Sequence, residues 1–401
     1  MKAGLDIGTS KISLVILNED ECVFSSEEKN FFDEEKRQDP NRIYDTCLKL
    51  INEAKERGYM AEIVGVSTQM HGILYVDENG EAVSDLYTWQ DDKGNFKYGE
   101  GYTYSEYAKK VTGYNVPSGY GLITHFYLFK NGLVPKTAVG LYTIGDYVYM
   151  KLNGLKKTIM HPTDAASLGF YDIEKDRFDL NALKKLDIDC SLLPAVGYDS
   201  KVMGDNQASF MGAVGVKGKT LLINIGTGGQ VSMLIKRGAK SNACELRPFN
   251  DEYYLAVGSS VCGGYAYAIL GKFFKSVIKS CGVADCDVFK IMNEIAKEET
   301  TMEFETAFCG KRDNVYARAK ILNVNEQNFT AGDMVTACIN GIVTELKDYY
   351  DDFGEQAVVI VGAGGGIKKN TNMQKAIEKI FGKKLIFSEY EQDAAIGVAK
   401  M

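Results

Sequence analysis

Along this 401-residue chain, short continuous apolar runs alternate with stretches whose apolar positions recur every three or four residues. That is the pattern of strands and helices in a layered α/β fold. Leu14–Leu17 and Val64–Ser67 read as strands. Between them, Asn41–Arg57 sets Ile43, Cys47, Leu50, Ile51 and Ala54 on one helical face, and Gly58 supplies the stop. In the longer insertion that follows, Phe126–Asn131 and Asp146–Leu152 read as helical and Thr163–Tyr171 as extended. The second half restarts the series. Thr220–Ile225 is a buried strand, Gln230–Ile235 its hairpin partner, Tyr253–Val257 a third strand and Gly263–Lys279 a helix. Met334, Cys338, Ile342 and Leu346 fall four apart and mark a long helix over Ala331–Tyr350. Aliphatic Val358–Val361 is a strand that runs into glycines, and Asn372–Phe381, Leu385–Phe387 and Glu391–Lys400 close the chain as helix, strand, helix.

This length exceeds one compact core and suits two domains of about 200 residues each. No linker rich in Pro or Ser interrupts the pattern, so two closely packed halves with a cleft between them are expected. Each half carries the same short device. "LDIGTS" (Leu5–Ser10) and "INIGTG" (Ile223–Gly228) both follow an apolar run and lead into another. A strand that ends in Asp/Asn-x-Gly-Thr or its near equivalent and turns back gives a tight hairpin with exposed N–H groups. Its glycines admit a phosphate, and the hydroxyls add donors. One such turn is common; two, one per half, point to a duplicated domain that grips a polyphosphate. A third glycine stretch, "VIVGAGGGIKKN" (Val359–Asn370), leaves backbone against which a base or ribose can lie. Ile367 stands where G-x-G-x-x-G needs its last glycine, so a dinucleotide site is disfavoured. "AVGVKGKT" (Ala213–Thr220) imitates a P-loop, but a strand, not a helix, follows its Lys-Thr.

Composition narrows the class. A net charge of −8 argues against wrapping a nucleic-acid backbone. No run approaches the ~18 apolar residues of a membrane span, and "MKAGLDIG" has no signal-peptide core. Nine cysteines without C-x-x-C or a Cys/His cluster read as reduced, mostly buried thiols rather than zinc ligands or disulfides. A cytoplasmic protein without nucleic-acid or membrane partners is expected.

Taken together, "LDIGTS…INIGTG…VGAGGG" resembles the actin-like ATPase superfamily and, within it, the FGGY carbohydrate kinases. "STQMHGILY" (Ser67–Tyr75) and "TWQD" (Thr88–Asp91) look like that family's sugar-binding segments, and "GDNQAS" (Gly204–Ser209) like its catalytic-base motif. "FCGKRDN" resembles its G-x-R segment, and "DAAIGVA" (Asp393–Ala399) its closing helix. "FNDEYYLAVGSSVCGG" (Phe249–Gly264) and "NGIVTEL" (Asn340–Leu346) are similar to the branch that acts on seven-carbon ketoses, with five-carbon ketose kinases next. The resemblance implies two duplicated ribonuclease H-like domains with an interdomain catalytic cleft. Residues 1–200 would bind sugar and 201–401 ATP, with Mg²⁺ as cofactor; a homodimer is left open. Three departures stand out. The first hairpin reads Thr-Ser-Lys instead of Thr-x-Ser-x-Lys/Arg, Gly228 replaces a frequent Ser, and only ten residues separate Pro194 from Asp205.

By the same resemblance Asp205 is the general base, and Asp6 holds Mg²⁺ through water. Gln69, Met70, His71, Trp89, Asp91 and Asn206 contact the sugar. Gly8, Thr9, Ser10, Lys11, Gly226, Thr227, Gly228, Gly364, Gly365 and Asn370 contact ATP. Each has a plainer alternative: an N-cap for Asp205, an Asx turn for Asp6, a surface lysine at Lys11, a structural His71 and a core-filling Trp89. A rival of another class is an actin-like assembly protein that uses ATP as a conformational switch. The sugar segments and Asp205 weigh against it, because a filament needs neither a polyol pocket nor a base.

Overall fold

The computed structural model describes every residue except 215–218, 242, 284–285, 313 and 389–391. It divides into two compact units, Met1–Gly215 with Arg247–Tyr253 and Tyr390–Met401, and Val216–Leu246 with Tyr254–Glu389. The expected boundary after residue 200 therefore falls too early. Strand Val202–Gly204, helix Asp205–Val214 and the closing helix Asp393–Ala399 all belong to the first unit. Glycines explain why these two helices lie so close to its sheet and to each other. A Cβ on Gly4 would stand 2.1 Å from the Ala395 carbonyl, one on Gly65 2.4 Å from that of Val398, and one on Gly212 1.8 Å from that of Asp393.

The first unit is built on a five-stranded sheet. Lys2–Ile7 pairs antiparallel with Lys11–Asn18 and parallel with Glu62–Thr68; Glu21–Lys29 extends one side and Val202–Gly204 the other. The second unit repeats that arrangement. Thr220–Ile225 pairs antiparallel with Gly229–Lys236 and parallel with Val359–Ala363; Tyr253–Ser260 extends one side and Leu385–Phe387 the other, with Glu245–Pro248 beyond. The duplication read from two hexapeptides is thus a duplication of whole sheets.

Helix Pro40–Glu56 begins where Asp39 accepts hydrogen bonds from the Asn41 and Arg42 amides, with Pro at the first position. A cap of this kind is worth about 1 kcal/mol. The helix buries Ile43, Cys47, Leu50 and Ala54 against the first sheet, as the periodicity expects. Between Glu62–Thr68 and Val202–Gly204 the insertion builds a second core around Tyr75, Phe126, Phe170 and Tyr104. Here one expectation fails: Thr163–Tyr171 is not extended, because Pro162–Leu168 is a helix. His161 caps it through its ring nitrogen and Pro162 takes the first helical position, two start signals that a strand reading of β-branched and aromatic residues passes over. All nine cysteines are free thiols, but only Cys47, Cys262 and Cys338 are buried.

Candidate active site

The first hairpin closes through Gly8, whose N–H donates to the Lys11 carbonyl at 3.0 Å. Its tip is held by a ring of side chains. The Thr9 hydroxyl donates to Gln69 Oε1 (3.0 Å), Gln69 Nε2 donates to Gln38 Oε1 (2.7 Å), and Gln38 Nε2 returns to the Thr9 carbonyl (2.9 Å). The Trp89 indole N–H adds a fourth bond, to Thr9 Oγ1 at 2.9 Å. Each donor in this ring has one acceptor, so the amide orientations are fixed by the network. Trp89 is 48% exposed and so is no core filler; its ring face is presented while its N–H is tethered. The Thr9 hydroxyl is spent inside the protein. Lys11 ion-pairs with Glu27 on the neighbouring strand at 2.8 Å, so the surface-lysine alternative describes it. Ser10 is exposed at the tip.

Gln69, Met70 and His71 leave the end of strand Glu62–Thr68. The Gln69 N–H donates to the Ile7 carbonyl at 2.9 Å. Met70 packs beneath Gly204, where a Cβ would meet its Sδ at 3.2 Å. His71 adopts a positive φ of 75°, unusual for a residue with a side chain. Its N–H donates to Ser167 Oγ and its Nδ1 lies 2.6 Å from the Ser167 carbonyl, an acceptor, so Nδ1 carries the proton. Asp91 has protein partners of its own. Its buried carboxylate accepts from Lys93 Nζ at 2.6 Å, from the Lys93 N–H and from Thr124, and so orders its own loop.

Asp205 is itself the first residue of its helix, directly after strand residue Gly204; it does not occupy the N-cap position. Burial and the negative charge of Asp6 raise its carboxyl to about 7, against the opposing pull of the Asn206 N–H and Arg247. Burial also raises Asp6, opposed by the hydrogen bond that Ser67 Oγ donates to Oδ1 at 2.7 Å and by Lys11. Asn206 turns its carbonyl oxygen to Arg247 at 3.0 Å. The first unit therefore brings together two half-buried carboxylates that repel one another, beside a guanidinium.

The second unit's tip has almost no side-chain chemistry. Gly226 N–H donates to the Gly228 carbonyl, while the carbonyls of Gly226 and Thr227 accept from the N–H groups of Gly264 and Tyr265, each at 3.0 Å. Gly263 and Gly264 are needed there: Cβ atoms would come within 2.3 Å of Gly228 C and of Gly226 O. A Cβ on Gly364 (φ 83°, ψ 153°) would stand 2.4–2.5 Å from Asn224 Oδ1 and the Ile225 carbonyl, so that glycine serves close packing. Gly226 and Gly365 face open space. Asn370 caps helix Thr371–Phe381 through Oδ1 to the Met373 N–H. In the P-loop imitation, residues 215–218 lie outside the described residues, but Lys219 leads directly into strand Thr220–Ile225. Asp313 of "FCGKRDN" and Glu391 of the closing segment also lie outside them.

The model of the FGGY family of carbohydrate kinases, N-terminal domain, matches residues 1–235. The chain belongs to this family. It is 25% identical to the sedoheptulokinase of Mus musculus over 91% of this chain and 86% of the relative. It is 24% identical to a xylulose kinase of Staphylococcus epidermidis over 99% of this chain and 86% of that one. Among solved structures, Plasmodium falciparum glycerol kinase with ADP superposes with a TM-score of 0.77 at 19% identity, over 99% and 88% of the two chains. The protein is a sugar kinase, and the assembly-protein alternative falls away.

Several residues of this FGGY kinase site had no signal in the sequence. Gln38 completes the Thr9 ring from a two-residue strand, and Arg247 reaches Asn206 from a segment far along the chain. Lys93 could have been found, since it follows Asp91 by two residues in "TWQDDK". Gly263 and Gly264 could have been found as well, as a glycine pair opening a helix. Among the described residues, no helix is long and apolar enough to cross a membrane, and no three His, Cys, Asp or Glu side chains form a metal cage.

Proposed function

We propose that this FGGY kinase transfers the γ-phosphoryl group of ATP to a terminal primary hydroxyl of a ketose. Sedoheptulose, giving sedoheptulose 7-phosphate, is the first choice and xylulose the second. The sedoheptulokinase and xylulose kinase relatives support a ketose, and the ADP of the glycerol kinase supports an adenine nucleotide. The first unit takes the sugar and the second the nucleotide, in a cytoplasmic enzyme whose substrates are both small molecules.

The observation that carries the chemistry is Asp205, a half-buried carboxylate at a helix start whose pKa stands at about 7. A base poised near neutrality combines an adequate ionised fraction with real basicity. Asp205 takes the proton of the attacking hydroxyl, the hydroxyl oxygen bonds to the γ-phosphorus, and the bond to ADP breaks. Trp89 offers its exposed face to a sugar's C–H surface while its N–H stays on Thr9. His71 and Gln69 are held in place beside the hairpin by Ser167 and Gln38. In the second unit, the open glycines Gly226 and Gly365 leave backbone that a phosphate or ribose can approach.

The donor set fits Mg²⁺. Two carboxylates, Asp6 and Asp205, repel each other with no full protein cage among the described residues. Mg²⁺ keeps most of its water and takes one or two carboxylates plus substrate phosphates. Asp6 would hold it, and the ion would supply charge neutralisation on the phosphates.

The test is ADP release across a panel of ketoses and polyols with Mg·ATP. Many-fold stimulation by sedoheptulose above xylulose is the expected result. Equal turnover with and without any sugar would overturn the reading.

A further inference from the structure

Helix Pro162–Leu168, misread from the sequence as extended, touches the strand that delivers Asp205. The Gly204 N–H, one residue before Asp205, donates to Thr163 Oγ1 at 3.0 Å. Strand Val202–Gly204 is the short outer strand of its sheet and, among the described residues, pairs only with Glu62–Thr68, so this bond holds its outer side. Thr163 Oγ1 is in turn 2.9 Å from His161 Nδ1, and the Thr163 N–H donates to the same Nδ1 at 3.3 Å.

The backbone donors set two of the directions. A backbone N–H can only donate, so His161 Nδ1 must be the bare nitrogen and the ring proton sits on Nε2. The Gly204 N–H likewise makes Thr163 Oγ1 an acceptor, and the hydroxyl's own proton faces His161 Nδ1 and the neighbouring Asp164 carboxyl. Both side chains are buried, at 0% and 2% exposure, and burial lowers the pKa of His161 to about 3, so the ring stays neutral. The Tyr198 ring meets the imidazole edge-on at 5.3 Å and fixes its plane. The result is a buried chain of hydrogen bonds, Gly204 to Thr163 to His161, that ties the outer strand to this helix.

We propose that Thr163, oriented by neutral His161, is a positioning residue that fixes the backbone at Gly204 and so aims the Asp205 carboxylate. This rests on reading Asp205 as the base. Misplacement of a catalytic group by a fraction of an ångström costs rate, while affinity set elsewhere is kept. Thr163 is fully buried, so its loss should appear in kcat and not in either KM.

Thr163→Val keeps shape and removes the hydroxyl; Thr163→Ser keeps the hydroxyl. The first should lower kcat by about tenfold with both KM values within about twofold, and the second should stay near wild type. His161→Asn, still a good helix cap, removes the ring acceptor and serves if the valine variant does not fold; it should lower kcat several-fold. The deciding step combines Thr163→Val with Asp205→Asn. A clamp that acts through the carboxylate has nothing left to aim, so the double variant should turn over as slowly as Asp205→Asn alone. The same tenfold loss in both backgrounds would mean a merely structural role and overturn the proposal, as would an unchanged kcat in a folded Thr163→Val. An active Asp205→Asn would instead overturn the base assignment itself, which the single variants do not test.

Discussion

The two hairpin tips share a topology and almost nothing else. In the first unit the tip is tied by side chains, with Thr9, Gln69, Gln38 and Trp89 in one hydrogen-bonded ring and Asp6 just before the turn. In the second, Gly226–Gly228 and Gly263–Gly264 meet backbone to backbone, and Gly364 and Gly366 pack on Asn224 and Ile225 just before them. A duplicated sheet offers the same turn twice, and the residues around the two copies differ. Side chains discriminate among hydroxyl patterns, whereas bare backbone suits a phosphate chain that is the same in every nucleotide.

The sharpest way to break this comparison is at the glycines. Gly364→Ala forces a side chain into a conformation that only glycine adopts, 2.4 Å from Asn224 Oδ1. It should destabilise the second unit by roughly 3 kcal/mol or more, read as a lowered urea midpoint. Gly365→Ala meets open space and should leave that midpoint alone while raising the KM for ATP several-fold. If the two behave alike, the division into packing and ligand-facing glycines is wrong.

On the side-chain half, Trp89→Phe removes one hydrogen bond to Thr9 and part of the exposed ring. The KM for sugar should rise by about fivefold to tenfold, the KM for ATP should not move, and steady-state kinetics would separate them. A change confined to the KM for ATP would contradict the assignment of Trp89 to the sugar.

A smaller effect concerns two aspartates in the first unit. Asp164 is fully buried, and burial, then Asp146 and Asp205, push its carboxyl well above the usual range against the opposing hydrogen bond with Thr163. Asp146 is raised to about 7, chiefly by burial. Groups raised on folding stabilise the protein fully below their unfolded pKa, and that contribution disappears as pH climbs through the folded value. Wild-type urea midpoints should therefore fall between pH 5 and pH 8, and Asp164→Asn should flatten the fall. Parallel curves for the two proteins would count against a protonated Asp164. At the bottom of the scale, Lys11→Ala and Lys219→Ala should leave kcat and the KM for ATP within twofold, since one lysine pairs with Glu27 and the other only enters a strand.

What was legible in the sequence was whatever repeats or is locally periodic. The hexapeptides gave away the duplication, and aliphatic runs such as Thr220–Ile225 fell where expected. Asp205 was found by motif, and its place at a helix start follows from the glycine before it. The ring around Thr9 was not legible, because Gln38, Gln69 and Trp89 come from separate strands and loops and meet only after folding. Nor was the partner of Asp91 plain from the motif: the ammonium of Lys93 sits on its carboxylate, two residues along the same loop. Helix Pro162–Leu168 was hidden because its cap is a histidine, which is seldom a helix signal.

The central claim is that a carboxylate at position 205, and not merely a polar residue, drives the reaction. Asp205→Asn preserves size and removes the charge, so ATP binding by calorimetry should stay near wild type. A coupled ADP assay with the preferred ketose should show kcat lower by at least about a hundredfold, within the range of a lost general base. Wild-type kcat/KM should rise with pH through an acid limb near 7, where Asp205 gives up its proton. Near-normal turnover by Asp205→Asn, with ATP still bound, would contradict the account.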